Sequence, residues 1–301
     1  MKKDNTMRER KTLNTCQGPD PNTKKPKTNI PHKACDAHCH VFGPSADFPF
    51  HPKRSYTPPD AGKEQLRKLH QVLGFERAVI VQATCHGDDN SAMLDAIASS
   101  NGSYRGVAMV EETITEKELE KLHIGGVRGT RFSFARHLSG PPNFKHVRRV
   151  TEKYSALGWH AVLYLEAEDI VEYVGELTSF SVPVVIDHMA RFKVSDGLKQ
   201  KAFQLILDFV RNENFWIKIS GAERLSNTSY PFDDIVPFAQ SLIEVAPNRI
   251  IWGTDWPHPN IVGQMPNDGE LVDMLESYAP DKITREKIIV ENPAELYGFD
   301  K

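Results

Sequence analysis

Two histidines separated by a single residue, His38 and His40 in the run Asp36-Ala37-His38-Cys39-His40, are the side chains best placed by type and spacing to do chemistry. In an extended strand residues i and i+2 face the same side, about 7 Å of chain apart at ~3.3 Å per residue, so both imidazoles address one point. A third histidine, His188, follows the apolar run Val184-Val185-Ile186-Asp187, and a carboxylate, Asp255, ends the run that begins at Arg249. A carboxylate can take a proton from water while imidazoles hold a developing oxyanion, so the set is a hydrolytic one. His38, His40 and Asp255 share a pocket only if the first and last of these runs are neighbours in a closed structure.

The elements between them satisfy that condition. Eight short apolar runs read as strands: Cys35 to Val41, Arg77 to Gln82, Tyr104 to Val110, Val127 to Phe132, Trp159 to Leu165, Val184 to Ile186, Phe215 to Ser220 and Ile250 to Trp252. Amphipathic stretches of crossover length separate them, from Gly62 to Leu73 through Phe232 to Val245, and two more follow the eighth run. Apolar strands without clean alternation indicate a parallel sheet covered on both faces, and eight of them with intervening helices predict an α/β fold, a (β/α)8 TIM-type barrel. An open doubly wound sheet is the alternative, but no G-x-G-x-x-G follows the first run. The C-terminal strand ends carry the active site of such a barrel. They present His38, His40, Gln82, Thr84, Glu111, Arg131, Tyr164, Glu166, His188, Ser220, Arg224 and Asp255. Arg128 and Arg131 lie an odd number of residues apart, so only one faces the pocket, and Arg131 is nearer the strand end.

Composition narrows the class. The 301 residues suit one barrel preceded by a polar, flexible N-terminal arm over residues 1–33, with the barrel over 34–301. The balance of 37 basic and 40 acidic residues leaves a formal charge of −3, which steers the molecule toward neither nucleic acid nor a membrane surface. The N-terminus lacks the apolar stretch of a signal peptide or span, and Cys16, Cys35, Cys39 and Cys85 show no C-x-x-C spacing. A cytoplasmic protein with reduced thiols, a monomer or small homo-oligomer, is the expectation. His51, His70, His86, His123, His146 and His160 read as surface or packing residues. Asp36 reads as an acceptor for backbone donors.

The start D-A-H-C-H-V-F-G-P (Asp36 to Pro44), the I-D-H-M around His188, and W-G-T-D-W-P-H-P (Trp252 to Pro259) resemble the amidohydrolase superfamily, in the branch of the pyrone lactonases. The likeness extends through Val79 to Asn90, Gly126 to Phe132 and Glu223 to Ser226, from about Cys35 to Tyr297. It implies hydrolysis of an anionic unsaturated lactone met in bacterial degradation of aromatic acids. The substrate would be 2-pyrone-4,6-dicarboxylate or 4-sulfomuconolactone. Asp255 would be the general base, His38, His40 and His188 would polarise the carbonyl, and Arg131 and Arg224 would clamp the anion. Tyr56, Thr84, Tyr164 and Asn260 would add neutral hydrogen bonds. A binuclear metal site would need ligands where this chain has Arg131 and Tyr164, and guanidinium is a poor ligand. The resemblance therefore implies no required cofactor; a single divalent metal such as zinc on His38, His40, His188 and Asp255 is the lesser reading. Where the pyrone lactonases are expected to carry Lys-Arg after the fourth strand this chain has Arg136-His137, which puts the planar dicarboxylate in competition with the sulfonate. A lactone isomerase, a metal-dependent decarboxylase and a non-catalytic anion-binding protein are the other classes.

Overall fold

The computed structural model describes residues 14–136, 138 and 143–300. Its eight-stranded sheet runs in chain order: β1 (Cys35–Cys39), β2 (Arg77–Val81), β3 (Tyr104–Ala108), β4 (Val127–Ser133), β5 (His160–Tyr164), β6 (Val184–Ile186), β7 (Phe215–Lys218) and β8 (Ile250–Ile251). Every neighbouring pair is parallel. The ends of the sheet meet where Ala37 N–H donates to Trp252 O (3.0 Å) and Asp255 N–H donates to His38 O (2.8 Å), which completes the predicted barrel and brings first and last strands together. Closure depends on Gly253, since a Cβ there would stand 2.3 Å from His38 N and 2.7 Å from His38 Cβ.

The β-rich runs form strands because both faces find apolar cover. Val79, Val81, Val107, Val162, Val185, Trp216 and Ile251 fill the barrel interior, closed at its N-terminal end by Ala294, Tyr297 and Phe299. The alternate residues, Ile80, Leu163, Ile186 and Ile217 among them, pack under the helices. Paired residues of a parallel sheet face the same side, and here Arg131 is in register with Val162 and Lys218 with Ile251. Both charged residues therefore point into the barrel. His160 at the start of β5 is buried with its ring 5.0 Å from that of Tyr297, at the end of the barrel opposite the site, as a packing residue.

Helices occupy the predicted stretches, with two refinements: the stretch after β5 is broken into Ala167–Glu172 and Val174–Leu177, and a short helix, Ala222–Leu225, follows β7. The N-terminal segment departs from the expected flexible arm. Residues 14–33 follow the barrel surface: Lys24 N–H donates to Asn267 Oδ1 (3.0 Å), Thr28 N–H to Asp273 Oδ1 (2.9 Å), and Thr15 pairs with Thr57. Its polar composition is consumed by backbone donors meeting side-chain acceptors, and Gly269 admits it, because a Cβ there would lie 2.0 Å from Lys24 O. The expectation for residues 1–13 lies outside the described residues. All four cysteines are free, and no described helix is long and apolar enough to cross a membrane.

Candidate active site

At the C-terminal end of the barrel three imidazoles surround one carboxylate oxygen. Asp255 Oδ1 lies 3.3 Å from His40 Nε2, 3.5 Å from His38 Nε2 and 3.7 Å from His188 Nε2, all four side chains buried. Each ring is held from behind. His40 Nδ1 donates to Val81 O (2.7 Å), His188 Nδ1 bonds Ser220 Oγ (2.9 Å), and Lys218 Nζ donates to His38 Nδ1 (3.1 Å). The loop after β6 runs through His188, Met189, Ala190 and Arg191 at φ of 46, 51, 54 and 51°, and Asp255 sits at 65°. Such left-handed residues cost roughly 1–3 kcal/mol each, so the strain gathers where the side chains must be aimed. One result is that the consecutive residues Asp187 and His188 both reach the site, which a regular strand forbids.

Two charge clusters flank this centre. On one side Arg224 Nε donates to Asp255 Oδ2 (2.8 Å), with its Nη2 also on that oxygen (2.8 Å) and on Pro259 O (3.0 Å). Burial pushes Asp255 up, but Arg224 and the imidazoles outweigh it and hold the carboxyl well below the usual range. On the other side Asp187 lies 3.0 Å from Lys218 Nζ, 3.2 Å from Arg131 Nε and 3.3 Å from His38 Nδ1. Burial again opposes ionisation, and the Lys218 ammonium, with the Arg131 guanidinium, outweighs it and holds Asp187 well below its usual value. Burial lowers His188 to about 4 and His38 well below its ordinary value, which leaves both rings neutral. Behind Arg224, His258 lies between Asp268 (3.1 Å) and Glu223 (3.7 Å); burial lowers it, yet the two carboxylates raise it to about 10.

The spacing also bears on metal. Ligand atoms of His38, His40 and Asp255 lie within 4.8 Å of one another, as do those of His38, Asp187 and His188 and those of Glu223, Asp255 and His258. These groups could hold a cation. The surrounding charge is nevertheless already balanced, because Arg224 occupies Asp255 Oδ2 while Lys218 and Arg131 flank Asp187. A guanidinium keeps its proton and repels an added cation.

A cavity of about 530 Å³ opens above the site, lined by Thr15, Cys16, Arg191, Glu223, Arg224 and Asn260 among others. Of the residues expected from sequence, Asp255, His38, His40 and His188 form the centre and Arg224 bridges it to the cavity. Arg131 stacks over Tyr164 at 5.0 Å while pairing with Asp187. The Tyr164 hydroxyl accepts from Arg191 Nη1 (2.6 Å), Asn260 Oδ1 accepts from Cys16 Sγ (3.3 Å), and buried Tyr56 lies beside Thr84. Gln82 is used on the backbone, donating to Gly87 O and Asp89 O. Glu111 lines a separate groove and Glu166 pairs with Arg136, so these do not join the centre. Arg128 turns away to His123 O and Val127 O. Asp36 is an acceptor as read, taking His38 N–H (3.2 Å) and Thr254 N–H (2.9 Å), and it also bonds His70 (3.1 Å). His137 lies outside the described residues. Asp187, Lys218, Arg191 and His258 are members that sequence reasoning passes over. For Lys218 a signal existed, a lysine two residues after Trp216 in an otherwise apolar strand.

Residues 35–299 match the family model described as amidohydrolase. The chain belongs to the amidohydrolase family. Within it, the chain is 46% identical over 285 residues to a 2-pyrone-4,6-dicarboxylate hydrolase of Comamonas testosteroni, covering 92% of this chain and 93% of that one. It is 38% identical over 286 residues to a 4-sulfomuconolactone hydrolase of Rhizobium radiobacter, covering 94% of this chain and 96% of the relative. A crystal structure from Acinetobacter baumannii, a probable 2-pyrone-4,6-dicarboxylic acid hydrolase with citric acid bound, superposes with a TM-score of 0.77 at 27% identity, over 89% of this chain and 100% of that one. For this amidohydrolase the matched span includes all eight strands and every residue of the His38–His40–His188–Asp255 centre.

Proposed function

We propose that this amidohydrolase opens an anionic unsaturated lactone with water, the substrate being 2-pyrone-4,6-dicarboxylate or 4-sulfomuconolactone, and that it needs no metal to do so. The observation that carries the reading is Asp255 Oδ1 ringed by three imidazole Nε2 atoms beneath a cavity walled by Arg191 and Arg224. Asp255 takes a proton from water as the oxygen attacks the lactone carbonyl carbon. His38, His40 and His188 surround the carbonyl oxygen and stabilise it as it becomes an oxyanion. Collapse of the tetrahedral intermediate breaks the ring C–O bond, and the proton held by Asp255 passes to the departing ring oxygen. Arg131 and Arg224 orient the acidic substituents, where a planar fork gives position as well as charge. Tyr56, Thr84, Tyr164 and Asn260 complete the polar lining.

The named activities of the two relatives support the substrate class, and citrate in the Acinetobacter structure is itself a polyanion. The charge balance around Asp255 and Asp187 supports a reaction without a divalent ion. The test is to assay purified, chelator-treated protein on both lactones and to weigh the product. Gain of one water on either substrate supports the reading. Conversion with no change of mass assigns an isomerase instead, and no conversion of either lactone rejects it.

A further inference from the structure

The mechanism uses His38 as one of three equivalent imidazoles, yet the residues behind His38 make it different from the other two. Lys218, fully buried on β7, places Nζ 3.1 Å from His38 Nδ1 and 3.0 Å from Asp187 Oδ1. An ammonium offers three donors and no acceptor. With Asp187 as its buried counter-ion, Lys218 can donate to Nδ1 only if that nitrogen presents a lone pair; the competing arrangement, an Nδ1–H aimed at Asp187 Oδ1 3.3 Å away, would set that proton against the ammonium 3.1 Å from the same nitrogen. His40, two residues away, has the reverse arrangement: its Nδ1 must donate to the Val81 carbonyl, which only accepts. His38 Nε2, in turn, is buried and has no hydrogen-bond partner among the described residues.

We infer that Lys218 is a positioning residue that fixes the His38 proton on Nε2, making this ring the hydrogen-bond donor to the lactone oxyanion and disqualifying it as a metal ligand. The inference rests on the lactone reading for its catalytic half and on the side-chain geometry alone for the rest. The same geometry explains how a site with metal-like spacing avoids a metal. With Lys218 gone, His38 Nδ1–H could turn its donation to Asp187 Oδ1, 3.3 Å away, and release Nε2 as a third ligand atom beside His40 and Asp255.

The direct test is the tautomer of His38 in the unmodified enzyme, read by NMR of isotopically labelled histidine nitrogens, with the resonance assigned by its loss in His38→Gln. Protonated Nε2 and a hydrogen-bonded, lone-pair Nδ1 are expected; a proton on Nδ1 overturns the inference. Lys218→Met should move the proton to Nδ1, leave KM nearly unchanged and lower kcat by about 100-fold or more, the loss seen when one oxyanion donor is removed. It should also take up one equivalent of zinc in equilibrium dialysis where the wild-type protein takes up far less. Stoichiometric zinc on the wild-type protein that disappears in His38→Gln overturns the inference equally. If Lys218→Met does not fold, the wild-type tautomer and zinc measurements still decide. If neither lactone is a substrate, those two measurements still report on Lys218, so failure of the functional reading and failure of the Lys218 assignment are separable.

Discussion

Removing Arg224 tests how the site keeps its proposed base, Asp255, ready. In Arg224→Met the two contacts to Asp255 Oδ2 at 2.8 Å and the bond to Pro259 O disappear, while the hydrophobic stem is retained. The Arg224 and Asp255 side chains are only 10% and 3% exposed, so the pair belongs with desolvated ion pairs rather than with surface pairs of about 0–1 kcal/mol. Truncating one member of a buried, hydrogen-bonded charge pair costs about 2–5 kcal/mol, and at ~1.4 kcal/mol per decade kcat/KM on an anionic lactone should fall by about 30-fold to a few thousand-fold.

The pH profile separates this account from a simple loss of substrate binding. The proposed base, Asp255, can take a proton only when ionised, and in the wild-type protein Arg224 and the imidazoles hold its carboxyl well below the usual range. The acid limb of kcat/KM should therefore lie below the ordinary carboxylate range of about 4 in the wild type. Without Arg224 burial is less opposed, the carboxyl rises, and the acid limb should move to higher pH. Stopped assays over an acid-to-neutral series read both quantities, with Arg224→Lys as a control that restores charge but not the two-point contact. A pH-independent loss, with the acid limb where the wild type has it, would refute the claim that Arg224 sets the protonation of Asp255.

Three further outcomes follow from the same geometry. Asp255→Asn should retain ligand-induced thermal stabilisation by a non-hydrolysed polycarboxylate such as citrate while losing turnover; near-normal kcat would exclude Asp255 as base. Gly253→Ala should destabilise the fold by about 1–3 kcal/mol, because its Cβ would fall 2.3 Å from His38 N, and calorimetry showing a wild-type melting temperature would contradict the closure argument. His258, raised to about 10 from an unfolded value of about 6.5, contributes stability that is fully present below pH ~6.5 and is lost as pH rises through about 10. The difference in melting temperature between wild type and His258→Gln should accordingly shrink from pH ~6.5 to ~10, and a gap that widens over that interval would show that the His258 cation is not what joins Glu223 to Asp268.

The barrel was legible because its signals are local and repeated. Each strand is a run such as Arg77–Val81 or Val184–Ile186 in which both faces are apolar, and each is separated from the next by a stretch of helical period. The chemistry at the strand ends was legible for the same reason: His38, His40, Arg131 and Asp255 stand where an apolar run stops. What composition misjudged was the N-terminal segment. Asp20, Asn22 and Lys24 read as solvent-seeking, whereas Asn267 bonds the side chain of Asp20 and the backbones of Asn22 and Lys24. Polarity marks a segment that needs hydrogen bonds, and only tertiary structure says whether water or protein provides them.

Asp187 and Lys218 were illegible for a sharper reason. When both faces of a strand are buried, alternation does not reveal which face is the interior, so the period of two cannot say that Trp216 and Lys218 point inward while Phe215 and Ile217 pack under helices. Asp187 was masked by the assumption that a strand offers one of two consecutive residues to a site, an assumption that fails once the backbone turns left-handed at His188. Both omissions concern the layer beneath the reacting atoms. Residues that touch substrate must stand at the strand ends, where a run of apolar sequence breaks and exposes them. A residue that sets the proton of another has to lie one layer deeper, within the apolar run itself, where Lys218 is the single charged member of Phe215–Lys218. A buried charge without a partner is costly, so such a lysine signals that an acceptor faces it from another strand. In this barrel the acceptors are Asp187 and His38, residues of β6's end and of β1, brought to Lys218 by the closure at Gly253.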